Sequence, residues 1–144
     1  MFLRLLGLDY GIKRLGIAVS DSLGITAQPL VVIERKSIKE DMEKIKKILD
    51  ENNIKKVIVG LPLNMDGSEG HLMEEVKGFA QKIKGEFNLP VEFFDERLSS
   101  LQTERILIEE ADMSREKRKG VRDKIAAALF LQAYLDSHRN NSNE

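Results

Sequence analysis

Three short apolar runs near the start of the chain leave little freedom in how the fold begins. Phe2 to Asp9, Leu15 to Ser20 and Ile25 to Ile33 have strand length, and the links between them are too short for a parallel crossover, so successive runs pair as antiparallel hairpins. Tyr10-Gly11 supplies the first turn. Pro29 has no N–H to give to a ladder, which puts the third run at an edge or at an irregularity. The pattern then changes period. Ser37 stands three residues before Glu40 as a capping box, and Ile38, Met42, Ile45, Ile48 and Leu49 recur at helical spacing. Val57-Ile58-Val59 is a brief strand ending at Gly60-Leu61-Pro62, and Asn64 to Gly67 reads as a loop. A second helix is expected from Ser68, with Leu72, Val76, Phe79, Ala80 and Ile83 on one face. Val91 to Phe94 is a fifth strand running into Asp95-Glu96-Arg97, and Ser99 or Ser100 caps a third helix towards Ile108. Glu109 to Gly120, charged and aperiodic, reads as an exposed loop, followed by an alanine-rich helix from Val121 to Leu135 and a fraying polar tail.

The order is three strands, helix, strand, helix, strand, helix. It specifies an α/β fold with a mixed five-stranded sheet, three antiparallel strands followed by alternating helix and strand units, flanked by helices. A chain of 144 residues can bury one substantial core, so residues 1–136 are expected as one domain and 137–144 as the tail. The absence of cysteine excludes disulfides, thiolate zinc sites and cysteine nucleophiles. The opening MFLRLLGLDYG is too short and too interrupted by Arg4 for a secretion signal, and no apolar run approaches the ~20 residues of a membrane span. The expectation is a cytoplasmic protein with no membrane partner. With a formal net charge of −1, binding to nucleic acid has to rest on a local basic patch.

In such sheets, sites gather beyond the carboxyl ends of the parallel strands. Acidic residues fall there: Asp9 ends the first strand, Asp95 and Glu96 end the fifth, and Asp123 opens the last helix. The small side chains of Ala126-Ala127-Ala128 allow that helix to lie close to the sheet, which would bring Asp123 towards Asp9. Hard divalent cations take carboxylate oxygens, and a two-metal phosphodiester site needs several of them around ions about 4 Å apart. Taken singly, each acid has a plainer role: Asp9 as a turn former, Asp95 and Glu96 as solvated strand ends, Asp123 as a first-turn carboxylate favoured by the helix dipole. Strand alternation points Asp95 and Glu96 to opposite faces, so at most one of them is a direct ligand. Arg115, Lys117, Arg118, Lys119, Arg122 and Lys124 form the dense basic cluster, suited to a nucleic-acid backbone or simply to solvent.

Gly7 to Asp21 resembles the G-x-D-x-G-x-x-R-x-G-x-A-x-S-D signature of the YqgF family, nucleases related to Holliday-junction resolvases. Three later blocks match in the family's order: Gly60-Leu61-Pro62 with Gly67, Asp95-Glu96-Arg97-Leu98-Ser99-Ser100, and Asp123-Lys124-Ile125-Ala126-Ala127 ending in Leu131-Gln132. The resemblance implies an RNase H-like metal-dependent nuclease with Asp9, Glu96 and Asp123 as catalytic metal ligands, Asp95 as the alternative ligand, and two Mg²⁺ or Mn²⁺ ions. Where the wider superfamily often ends its fourth strand in an acid, this chain has Gly60-Leu61-Pro62, so the Asp95-Glu96 pair must supply that ligand. Arg14 and Arg97, with Arg118, Lys119, Arg122 and Lys124, become candidate substrate contacts; Arg14 and Arg97 could instead pair with Asp21 and Glu96. The family is associated with maturation of the 5′ end of pre-16S rRNA and, by relationship, with resolving branched DNA. The implied partners are therefore structured RNA or branched DNA and ribosomal assembly factors, with the chain acting as a monomer or homodimer. Two rival readings are an ATPase-like phosphate-binding module, which needs a second such domain around its nucleotide, and a non-catalytic nucleic-acid-binding module.

Overall fold

The computed structural model describes residues 4–61, 70–95 and 115–142, with the side chains of 124–138 in the last segment. The expected loop at Asn64 to Gly67, the helix from Ser99 or Ser100, and the charged stretch up to residue 114 lie outside the described residues. The elements are β1 (Arg4–Tyr10), β2 (Arg14–Ser20), β3 (Ala27–Glu34), α1 (Ile38–Glu51), β4 (Ile54–Leu61), α2 (Met73–Phe87), β5 (Val91–Asp95) and a long helix, α3 (Arg115–Ser142). The five strands lie in the order β3-β2-β1-β4-β5. The hairpins pair antiparallel, and β4 lies parallel to both β1 and β5. This is the mixed sheet that the strand and helix periods demand.

Pro29 sits on the edge strand β3, at the point where the β2–β3 register shifts. Ser37 caps α1, its side chain accepting from the Glu40 N–H at 3.2 Å. Several boundaries differ from expectation. β4 runs the full span Ile54–Leu61, because Ile54 is itself buried at the strand's start. α2 begins at Met73 rather than Ser68: its N-cap, Leu72, has no side-chain acceptor, and the chain enters through a turn in which Met73 N–H donates to Gly70 O. The segment from Arg115 to Gly120, expected as loop, is helical, since Arg, Glu and Lys are strong helix formers even where no apolar period marks a buried face. At its other end α3 continues through Ser142, past a stacked Tyr134–His138 pair with ring centroids 3.9 Å apart.

Each face of the sheet is covered by its own layer. Leu6, Leu8, Leu15, Ile17, Val57 and Val59 pack against Met42, Ile45 and Leu49 of α1 and Val76, Phe79 and Ile83 of α2. On the other face Leu5, Ala18 and Ile58 meet Ala127, Phe130, Leu131, Tyr134 and Leu135 of α3. Each fully buried large side chain contributes roughly 1.5–3 kcal/mol, so both layers are needed. The α3 layer is also pinned by polar bonds. Gln132 accepts from Ala27 N–H at 2.8 Å and donates to Ile25 O at 2.8 Å, while Lys56 donates to the Tyr134 hydroxyl at 2.8 Å and pairs with Glu92 at 3.2 Å. Burial alone would raise the Glu92 carboxyl, but its contacts with Tyr134 and Lys56 hold it below its ordinary range.

Gly7 lets α3 come this close. A Cβ at that position would lie 3.1 Å from Ala127 O and 3.1 Å from Leu131 Cβ. Gly7→Val therefore forces α3 off the sheet, with an expected loss of about 1–3 kcal/mol in urea unfolding. A midpoint equal to that of the unaltered chain would show that α3 is not seated there.

Candidate active site

Alternation decides what lies on which face. Leu6 and Leu8 join the α1/α2 core and Leu5 the α3 core, so Asp9 has the parity of Leu5 and Gly7 and belongs to the α3 face. It is half-buried at the carboxyl end of β1. Its neighbours across the sheet are both glycines. Asp9 pairs with Gly16 on β2, and Val59 pairs with Leu8, which brings Gly60 of β4 level with Asp9. With no Cβ on either side, neither neighbouring strand crowds the carboxylate with a side chain.

The direction of α3 follows from its contacts. Gln132 bonds Ala27, which pairs with Ser20 at the far end of β2, while Ala127 lies over Gly7 in mid-strand. The helix therefore runs antiparallel to β1. One turn back from Ala127 rises about 6 Å and reaches position 123. Two residues forward from Gly7 advance about 7 Å and reach Asp9. By these rises the backbone of position 123 falls near the level of Asp9. The basic positions Arg115, Arg118, Lys119 and Arg122 recur at helical spacing on the same first turns, and Lys124 is half-buried.

Asp95 ends β5 with the parity of Val91 and Phe93, both packed on the α1/α2 core. Glu92 and Phe94 have the other parity, since Phe94 joins the α3 core and Glu92 meets Lys56 and Tyr134. The face that carries Asp9 is thus the face opposite Asp95, and Glu96 has the sequence parity of Glu92 and Phe94. Glu96 and Arg97 themselves lie outside the described residues. Among the described residues no three potential metal ligands cluster, and two of the three expected ones, Glu96 and the Asp123 side chain, are not among them. The donor chemistry fits a hard cation: a strand-end carboxylate, with neither cysteine nor histidine needed.

Arg14 opens β2 on the Asp9 face, half-buried and diagonal to Asp9, a spacing that long side chains span. Asp21 follows the other end of that strand, so the two do not pair. Instead Asp21 accepts from Ile25 N–H at 2.8 Å and Thr26 N–H at 3.1 Å, bonds that hold its carboxyl below its ordinary range despite the opposing effect of burial. Ser20 is buried and takes the Leu5 N–H at 2.8 Å. The Ser-Asp end of the signature is thus structural.

The pattern of residues did not single out Arg35 and Asp41. Arg35 donates to Asp41 at 2.9 Å and to Gly11 O at 2.9 Å, and its guanidinium lies 4.7 Å from the Tyr10 ring centroid and 5.2 Å from that of Phe79. Its own N–H bonds Lys13 O at 2.9 Å. One arginine therefore ties down the turn that follows Asp9. The available signal was Asp41, a carboxylate on the otherwise apolar stripe of α1 and only 1% exposed.

A family model described as "RuvX: Holliday junction resolvase" matches residues 3–137. The chain belongs to the RuvX family. RuvX is the YqgF family of the resemblance above. A relative from Endomicrobium trichonymphae named "Putative pre-16S rRNA nuclease" is 50% identical over 133 residues, 92% of this chain and 95% of its own length. Another of that name, from Caldanaerobacter subterraneus subsp. tengcongensis, is 50% identical over 139 residues, covering 96% of this chain and all (100%) of its own. Among solved structures, Thermus thermophilus RuvC in complex with a Holliday junction superposes with a TM-score of 0.58 at 17% identity, covering 95% of this RuvX chain and 96% of that one. The fowlpox virus resolvase bound to junction DNA gives 0.57 at 16% identity, over 94% and 99%. These likenesses establish the RNase H-like fold of the RuvX chain.

Proposed function

We propose that this RuvX protein is a cytoplasmic, metal-dependent nuclease that hydrolyses phosphodiester bonds, with Asp9, Glu96 and Asp123 holding two Mg²⁺ or Mn²⁺ ions. The observation that carries the reading is Asp9 itself, half-buried between Gly16 and Gly60 on the face that α3 covers. Parity favours Glu96 over Asp95 as the second ligand, because Asp95 belongs to the opposite face. When bound, the ions supply Lewis-acid activation of water and charge neutralisation at the leaving oxygen. The chain's own residues bind and orient. Asp9 fixes the centre of the site, Arg14 grips a phosphate oxygen with its planar fork, and Arg97, Arg118, Lys119, Arg122 and Lys124 hold the flanking backbone.

The substrate proposed is the 5′ end of pre-16S rRNA, in keeping with the names of the relatives at half identity. A four-way DNA junction is the second reading, favoured by the solved neighbours bound to junction DNA. Purified protein with labelled pre-rRNA, single-stranded RNA and a four-way junction, in Mn²⁺ or EDTA, decides. Cleavage of the pre-rRNA in Mn²⁺ and none in EDTA is expected. Cleavage that persists in EDTA would remove the metal from the mechanism, and cleavage of the junction alone would reverse the order of the two substrates.

A further inference from the structure

We propose that Ile12, at the tip of the β1–β2 turn, is an apolar wedge that enters a base step of the nucleic acid held at the Asp9 end of the sheet. It rests on the nuclease reading and adds to it a residue that touches bases rather than phosphates. Ile12 is 62% exposed, more than any other large apolar residue among those described. An isolated isoleucine on a surface is ordinary. What distinguishes this one is its mounting. The carbonyls on either side of it, Gly11 O and Lys13 O, both accept from Arg35 at 2.9 Å, one from the side chain and one from the backbone. Arg35 is in turn fixed by buried Asp41. The turn is also tight: a Cβ on Gly11 would stand 2.5 Å from Arg14 O. A side chain carried between two anchored carbonyls projects into solvent from a backbone that is already fixed, which removes the backbone share of the ordering cost of insertion.

The surroundings name the ligand. Ile12 is three residues from Asp9, and its neighbour Lys13 is exposed. A branched apolar side chain beside a cation matches a base step and its adjoining phosphate, because wedges of this kind unstack neighbouring bases while the cation meets the backbone. Leu23 provides the contrast. It is 57% exposed in the β2–β3 turn, at the opposite end of the sheet from Asp9.

The test uses the full chain in EDTA with single-stranded RNA and with a four-way DNA junction, each carrying 2-aminopurine at successive positions, whose fluorescence rises on unstacking. The unaltered protein, Leu23→Ser and Ile12→Phe are expected to raise the signal on the substrate they bind, and Ile12→Ser to lose it. In Mn²⁺, Ile12→Ser is expected to lower kcat/KM about tenfold, with Ile12→Phe restoring it and Leu23→Ser leaving it unchanged. The proposal is overturned if the unaltered protein unstacks neither nucleic acid, if Ile12→Ser behaves like the unaltered protein, or if Leu23→Ser loses the signal equally. Failure to cleave any substrate would refute the nuclease reading separately, because the fluorescence assay needs no turnover.

Discussion

Asp9→Asn is expected to abolish metal-dependent cleavage while leaving the fold intact. The substitution keeps size and polarity but removes the charge that the proposed metal site needs, and it leaves the strand-end geometry between Gly16 and Gly60 untouched. Disturbing an outer partner of a metal ligand already costs about 10–100-fold, so loss of a central ligand is expected to exceed about a hundredfold in kcat/KM. Urea unfolding without metal serves as the control and should show no large loss. A variant that still cleaves within tenfold of the unaltered protein would move the metal site away from β1. The companion substitutions Asp95→Asn and Glu96→Gln separate the two neighbouring acids. Parity predicts that Glu96→Gln is the damaging one, although they are adjacent in sequence.

The second large effect is on stability. Asp41→Ala leaves the Arg35 guanidinium, whose side chain is only 13% exposed, without its carboxylate partner. Removing one member of a buried pair typically costs about 3–5 kcal/mol, because the remaining charge is desolvated and uncompensated. The exposed Lys47–Glu51 pair on the same helix, 3.9 Å apart with side chains 75% and 61% exposed, should contribute only about 0.3–0.5 kcal/mol. Urea unfolding of Asp41→Ala and Glu51→Ala therefore contrasts two ion pairs of α1. A loss under 1 kcal/mol in Asp41→Ala would mean that water or the Tyr10 and Phe79 rings satisfy Arg35 without help. Activity should fall with stability here, because Arg35 holds Gly11 and Lys13 and so fixes the exit from Asp9.

The sheet and its order were readable because period two and period 3.6 leave different marks, and because short links force hairpins. Helix ends were less readable. Arg115 to Gly120 shows no apolar stripe, so nothing in its pattern distinguishes a solvated helix from a loop. α2 enters without a capping side chain, and nothing in the sequence marks Met73 as its start. At the candidate site, the strand-end position of Asp9 was legible because it closes a run of period two. The glycines beside Asp9 were not, because pairing partners depend on register, and Gly16 and Gly60 become neighbours of Asp9 only once three strands are aligned. The Arg35 clamp was hidden for the same reason: it joins residues 10, 11, 13, 35, 41 and 79 through space, with only Asp41 standing out from its helical stripe.

The separate covering of the two sheet faces bears on the order in which this chain can mature. Among the described residues the α1/α2 layer draws on positions up to Phe93, so a nascent chain can assemble these contacts while α3 is still being made. On the face carrying Asp9, Leu5, Ala18 and Ile58 lack their α3 partners until Ala127 to Leu135 arrive. A synthesis product that stops short of that helix would hold a formed sheet with the Asp9 side lacking its α3 layer, so of the two layers the one over Asp9 is the later to form.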